Sequence, residues 1–97
     1  MAIRLTRWDS AEYLKSEADI AEYWKECLAE GADDPAFITA ALNNIARARG
    51  MTALAKKTGL SRVGLYKALS PDGNPEFATV LKVIKALGLT LTGAPTR

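Results

Sequence analysis

Arg62, Val63, Tyr66 and Lys67 occupy i, i+1, i+4 and i+5 of one short run and supply a guanidinium, a branched apolar group, a phenol and an ammonium. On one helical face, such a set suits recognition and not bond breaking. The two cations match guanine O6 and N7, the valine matches a thymine methyl, and the phenol suits either a base or a phosphate. Lys56, Lys57 and Arg49 lie just upstream, where they would add phosphate contacts that fix orientation without reading sequence. Ser61 immediately precedes the set as an N-cap, and its hydroxyl and the first helical N–H groups are expected to anchor a phosphate.

These side chains need two crossed helices to hold them out, and residues 51–70, MTALAKKTGLSRVGLYKALS, read as a helix-turn-helix. Leu54 and Ala55 face inward from the first helix, and Gly59 stands where the chain must turn sharply. Leu60 plugs the corner, while Leu65, Ala68 and Leu69 recur at the spacing of one buried face. The small Ala55, four residues before the glycine, lets the helices cross closely, and the leftover outer face is what a major groove would meet.

Composition excludes most other chemistry. The chain has 97 residues, one cysteine and no histidine, so an internal disulfide, a metal cluster and the usual nucleophile–base pairs are not expected, nor is any cofactor. Cys27 sits among apolar helix positions and reads as a small buried hydrophobe. No apolar run approaches the ~20 residues needed to cross a bilayer, and no basic segment followed by an apolar one opens the chain, so a cytoplasmic protein is expected.

The net charge of +2 conceals a division. Residues 1–34 carry four basic and nine acidic side chains, net −5, whereas residues 35–97 carry nine and two, net +7. The basic part would attract phosphate, and the acidic part suits a cationic protein, although acids also simply make a soluble helix face.

The punctuation fits a single all-α domain of five or six helices: an acidic helical extension over 1–33, a core over 34–90 and a mobile tail over 93–97. Residues 2–7 alternate apolar and polar, as a short strand or extended arm does. Asp9 can cap a short helix through Leu14, and Ser16 a longer one in which Ile20, Tyr23, Trp24, Cys27 and Leu28 form a stripe that Gly31 ends. Asp34-Pro35 starts the next helix, with Phe37, Ile38, Ala41, Leu42 and Ile45 on its apolar face and Arg47 and Arg49 in its last turn. A turn-rich loop, SPDGNP, follows, and Asn74-Pro75 repeats the cap-plus-proline signal. Phe77, Val80, Leu81, Ile84 and Leu87 then form an apolar face, with Lys82 and Lys85 pointing away, until Gly88. Residues 89–92 alternate like a strand that would need a partner; this segment, with Leu89 and Leu91 and the exposed side of the last helix, is the first expectation for a homodimer interface, and the N-terminal aromatic stripe is the second.

Residues 33–91, from DDPAFITAAL through GLSRVGLYKALSPDGNPEF to IKALGLTL, resemble the prophage-associated addiction-module antidote proteins, a HigA-like group of type II antitoxins with a lambda-repressor-like helix-turn-helix. The loop pattern SxxGNPxF is the most distinctive part, and AEYLKSEADIAEYWKECLAEG is similar to the family's N-terminal helices. Val63 departs from the pattern, which favours an acidic or other polar residue there and so bears on base preference. The resemblance implies that the chain neutralises a small basic toxin of the RelE/ParE superfamily and represses its own operon as a dimer bound to double-stranded operator DNA. Glu17, Asp19, Glu22, Glu26 and Glu30 are then the expected toxin contacts, because carboxylates can occupy a surface built for phosphate.

Two other readings share parts of this pattern. A stand-alone phage-type repressor has the same DNA-facing residues and no toxin. A protein-interaction module could use the helix-turn-helix shape without touching DNA.

Overall fold

Three helix starts follow from local side-chain chemistry. In the computed structural model, which describes residues 13–92, Ser16 Oγ accepts from the Asp19 N–H at 3.1 Å and opens α1 (Glu17–Gly31). Asp34 Oδ1 accepts from the N–H groups of Ala36 and Phe37 at 3.1 and 3.3 Å, with Pro35 at the first position of α2 (Pro35–Arg49). Each carboxylate or hydroxyl satisfies donors that the helix itself leaves unpaired. The chain turns through Gly50 into α3 (Met51–Thr58), Ser61 caps α4 (Arg62–Ala68), and α5 (Phe77–Ala86) follows.

Among the described residues there are helices and no strand, which agrees with the all-α expectation. α1 packs on α2, α2 on α3, and α3 on both α4 and α5. One apolar cluster draws on every helix, from Ile20, Trp24 and Cys27 of α1 through Leu42 and Ile45 of α2, Leu54 of α3 and Leu65 of α4 to Val83 and Ile84 of α5. Burial of such side chains, worth roughly 1.5–3 kcal/mol each, drives the assembly. The α1 stripe is buried as its spacing predicts, with Tyr23 and Leu28 half-buried at its edges.

Gly31 ends α1 as the punctuation predicts. It is the last helical residue and is buried, and a Cβ there would overlap the Phe37 ring, so the glycine also lets α2 approach. Several other expectations are corrected. Asn74 does not cap α5. Residues 73–76 lie outside any helix, as the bias of a pre-proline residue away from helix favours, and Glu76 becomes the N-cap without a side-chain hydrogen bond.

The buried side of α5 is also rotated from the one expected. Val83 is fully buried with Ile84 and Leu87, while Phe77 and Leu81 are 67% and 41% exposed. Finally, residues 89–92 form no strand. The Leu89 N–H donates to the Ile84 carbonyl and the Gly88 N–H to that of Lys85, both at 3.0 Å, so the chain folds back over the end of α5. Leu89 packs against the chain's own core. The strand or arm at 2–7, the Asp9 cap and the tail at 93–97 lie outside the described residues.

Candidate nucleic-acid interface

α3 and α4 are joined by a turn that each neighbouring residue helps to close. Thr58 Oγ1 donates to the carbonyls of Leu54 and Ala55 at 2.9 and 3.2 Å and accepts from the Leu60 N–H at 3.3 Å. Gly59 takes φ 77° with its N–H on the Ala55 carbonyl, a conformation that costs a non-glycine residue about 1 kcal/mol or more. Leu60 is half-buried against the core, as its corner position predicts.

α4 buries Leu65 and Leu69 and presents Arg62, Val63, Tyr66 and Lys67 outward. Val63 is 77% exposed. The Arg62 guanidinium lies 5.7 Å from the centre of the Tyr66 ring and donates to its hydroxyl at 3.4 Å. This pair lays the guanidinium along the helix, so part of its rotamer freedom is already lost before any ligand arrives. Ser61 caps α4 as expected. Its Oγ accepts the Gly64 N–H at 2.9 Å, which leaves the hydroxyl proton to donate to a phosphate.

What aims α4 is a polar chain that the spacing of basic residues does not reveal. The Asn43 amide donates to the Leu69 carbonyl at the end of α4 at 2.9 Å. Arg47 bridges Asn43 Oδ1 at 2.9 Å and Asn44 Oδ1 at 2.6 Å, and Asn44 Nδ2 donates to the Tyr23 hydroxyl at 2.9 Å. The end of α4 is thus tied to α2 and, through Asn44, to α1. Asn44 is buried, and buried polar groups persist when their partners are present. The available signal was an amide on the apolar side of α2, between Leu42 and Ile45. Arg47, expected to complement a helix end or reach a phosphate, is engaged in this network.

The remaining candidates divide between two places. Lys56 and Lys57 are exposed on the last turn of α3. Arg49 is ion-paired with Glu17, so a residue expected to meet phosphate and one expected to meet a cationic protein are partners in the free chain. Asp19, Glu22, Glu26 and Glu30 are exposed along α1. Leu91 is 47% exposed. Cys27 is fully buried, and burial pushes its thiol up to about 11, a direction that removes thiolate reactivity. Among the described residues no cluster of side chains could hold a metal ion, and no helix is long and apolar enough to cross a membrane.

Comparison with known sequences gives this architecture a context. A family model described as "Probable addiction module antidote protein" matches residues 4–95. An uncharacterised protein of Haemophilus influenzae is 53% identical over 89 residues, which span 92% of this chain and 90% of the relative. No solved structure matches significantly.

Proposed function

Because the chain belongs to the family of probable addiction module antidote proteins, we propose that it is a DNA-binding type II antitoxin that neutralises a small basic RelE/ParE-like toxin and represses its own operon. In this reading the protein is a HigA-like cytoplasmic regulator of prophage type, and α3, the Gly59 turn and α4 form a lambda-repressor-like helix-turn-helix. The observation that carries the DNA half is the outer face of α4. Arg62, Val63, Tyr66 and Lys67 stand free of the core on a helix whose other face holds Leu65 and Leu69 at full burial. Arg62 and Lys67 would take base edges, Val63 a thymine methyl and Tyr66 a base or phosphate. Lys56, Lys57 and Ser61 would fix the register on the backbone.

One seven-residue helix covers few base pairs, so useful affinity calls for two copies on half-sites about 34 Å apart. Leu91, with Phe77 and Leu81 of α5, offers exposed apolar side chains for that dimer, whereas Leu89 is committed to its own core. The toxin half rests on the family and on the row of carboxylates along α1. Glu17, Asp19, Glu22, Glu26 and Glu30 would occupy the toxin's phosphate-binding surface.

The test is direct. Purified protein should bind the DNA upstream of its own gene with a steep salt dependence and should co-purify with the product of the adjacent reading frame. DNA binding without a co-purifying partner would favour the stand-alone repressor. Co-purification with no DNA binding at low salt would leave a toxin-binding module only.

A further inference from the structure

Lys57, Lys82 and Lys85 line one surface cavity together with Arg49, Thr58, Ala86 and Gly88. These residues come from the ends of α2, α3 and α5, and no residue of α4 is among them. Four of these residues are cations and none is acidic, an arrangement that concentrates positive potential. Arg49, Lys57 and Lys85 lie in the last turns of their helices, where the carbonyl ends favour a cation. Lys82 is a turn earlier, and helix-end complementarity does not account for it. Among the described residues Lys57, Lys82 and Lys85 have no carboxylate partner.

Arg49 does hold an anion. Its guanidinium, only 26% exposed, is paired with the 80% exposed carboxylate of Glu17. A pair with one member so exposed contributes little net stability, so a competing phosphate can displace it.

The geometry points to this basin as a second phosphate site, taking DNA backbone phosphates apart from the reading face of α4, with the Glu17 carboxylate standing in for phosphate at Arg49 in the free chain. It rests on the DNA-binding reading above and enlarges it: α4 reads bases, and the basin adds sequence-independent charge contacts. Each neutralised phosphate steepens the dependence of log affinity on log salt by about 0.9.

The experiment measures that slope for the full chain on an arbitrary-sequence duplex, comparing wild type, Lys82→Gln/Lys85→Gln, Arg62→Gln/Lys67→Gln and Glu17→Gln, with circular dichroism to verify folding. The lysine pair is exposed, so its removal should leave the fold intact and flatten the slope by about 1.8. Glu17→Gln should steepen it by up to about 0.9, because Arg49 is released. An unchanged slope in the lysine double variant, while Arg62→Gln/Lys67→Gln flattens it, overturns the basin and leaves the α4 reading standing. An unchanged or flatter slope in Glu17→Gln overturns the stand-in role. A wild-type chain that ignores duplex at low salt overturns the DNA reading and the basin together. Pyrophosphate is titrated in parallel by NMR: amide shifts at Thr58 and Gly88 with pyrophosphate, but none with duplex, would identify a site for free phosphate anions and overturn the assignment to DNA.

Discussion

The indole Nε1–H of Trp24 donates to the carbonyl of Thr90 at 2.9 Å, joining residues 66 positions apart. Through this bond α1 holds the segment that follows α5, and the acidic helix and the end of the core become one unit. Trp24 is 4% exposed whereas Thr90 is exposed, so the bond carries a buried indole's donor out to a carbonyl at the surface and leaves the donor satisfied.

Trp24→Phe keeps an aromatic ring in the core and removes the donor. We expect a loss of about 1–3 kcal/mol from the missing hydrogen bond and the smaller ring. Urea denaturation measures the loss, and hydrogen exchange should accelerate at the Leu89 N–H, which donates to the Ile84 carbonyl, before it does in α2. Unchanged exchange there would mean that the segment is held by Leu89 alone.

Gly31→Ala should be destabilising although alanine is the better helix former. The new methyl would meet the Phe37 ring at Cδ2 and Cγ, at 2.4 and 2.8 Å, and overpacking of this kind costs about 1–3 kcal/mol. Phe37→Leu in the same chain should recover part of the loss. Additive effects in the double-mutant cycle would show that the glycine is not there for Phe37.

Cys27 gives a pH signature. Its folded thiol is pushed up to about 11 from its ordinary value of 9.0, chiefly by burial. A group whose folded pKa is raised contributes stability that is complete below its unfolded value and lost as pH rises through the folded one. Stability should therefore fall between pH 9 and 11, more steeply than in Cys27→Ala. The same burial predicts that a thiol reagent at pH 8 reacts only in denaturant, and rapid labelling of the native protein would refute the placement of Cys27.

Arg62→Ala should weaken operator binding by about 1–3 kcal/mol and relax the preference at one base pair, with a smaller effect on arbitrary duplex. Equal losses on both, in a titration at fixed salt, would make Arg62 a phosphate contact. Tyr66→Phe removes only the hydroxyl that accepts from Arg62 and should cost less than Arg62→Ala, since the ring beneath the guanidinium remains.

Much of this was legible in the sequence because it is local. A hydroxyl at Ser16, a carboxylate at Asp34 before Pro35, and a glycine at 59 act on neighbours within three or four residues. The outward set of α4 was legible for the same reason: once Leu65 and Leu69 point inward, the helical period sends Val63, Tyr66 and Lys67 out, while Arg62, three residues before Leu65, is exposed because it opens the helix. α5 shows where periodicity stops deciding. Phe77, Val80, Leu81, Val83, Ile84 and Leu87 spread over an arc of about 160°, wider than one contact stripe, so more than one buried face satisfies the pattern. Packing against α3 selects Val83, Ile84 and Leu87 and leaves Phe77 and Leu81 outside.

The sequence by itself therefore determined where α1, α2 and α4 begin, how α3 turns into α4, and which side chains α4 presents. Only the tertiary structure decided which face of α5 is dry, that Asn43, Arg47 and Asn44 tie the end of α4 to α2 and α1, that Trp24 reaches Thr90, and that Arg49 meets Glu17 beside the lysines of α3 and α5. The physical reason is range. Caps, turns and helical period are settled by bonds across a few residues, whereas these pairings join groups far apart in sequence and exist only once the shared core has fixed the helices against one another.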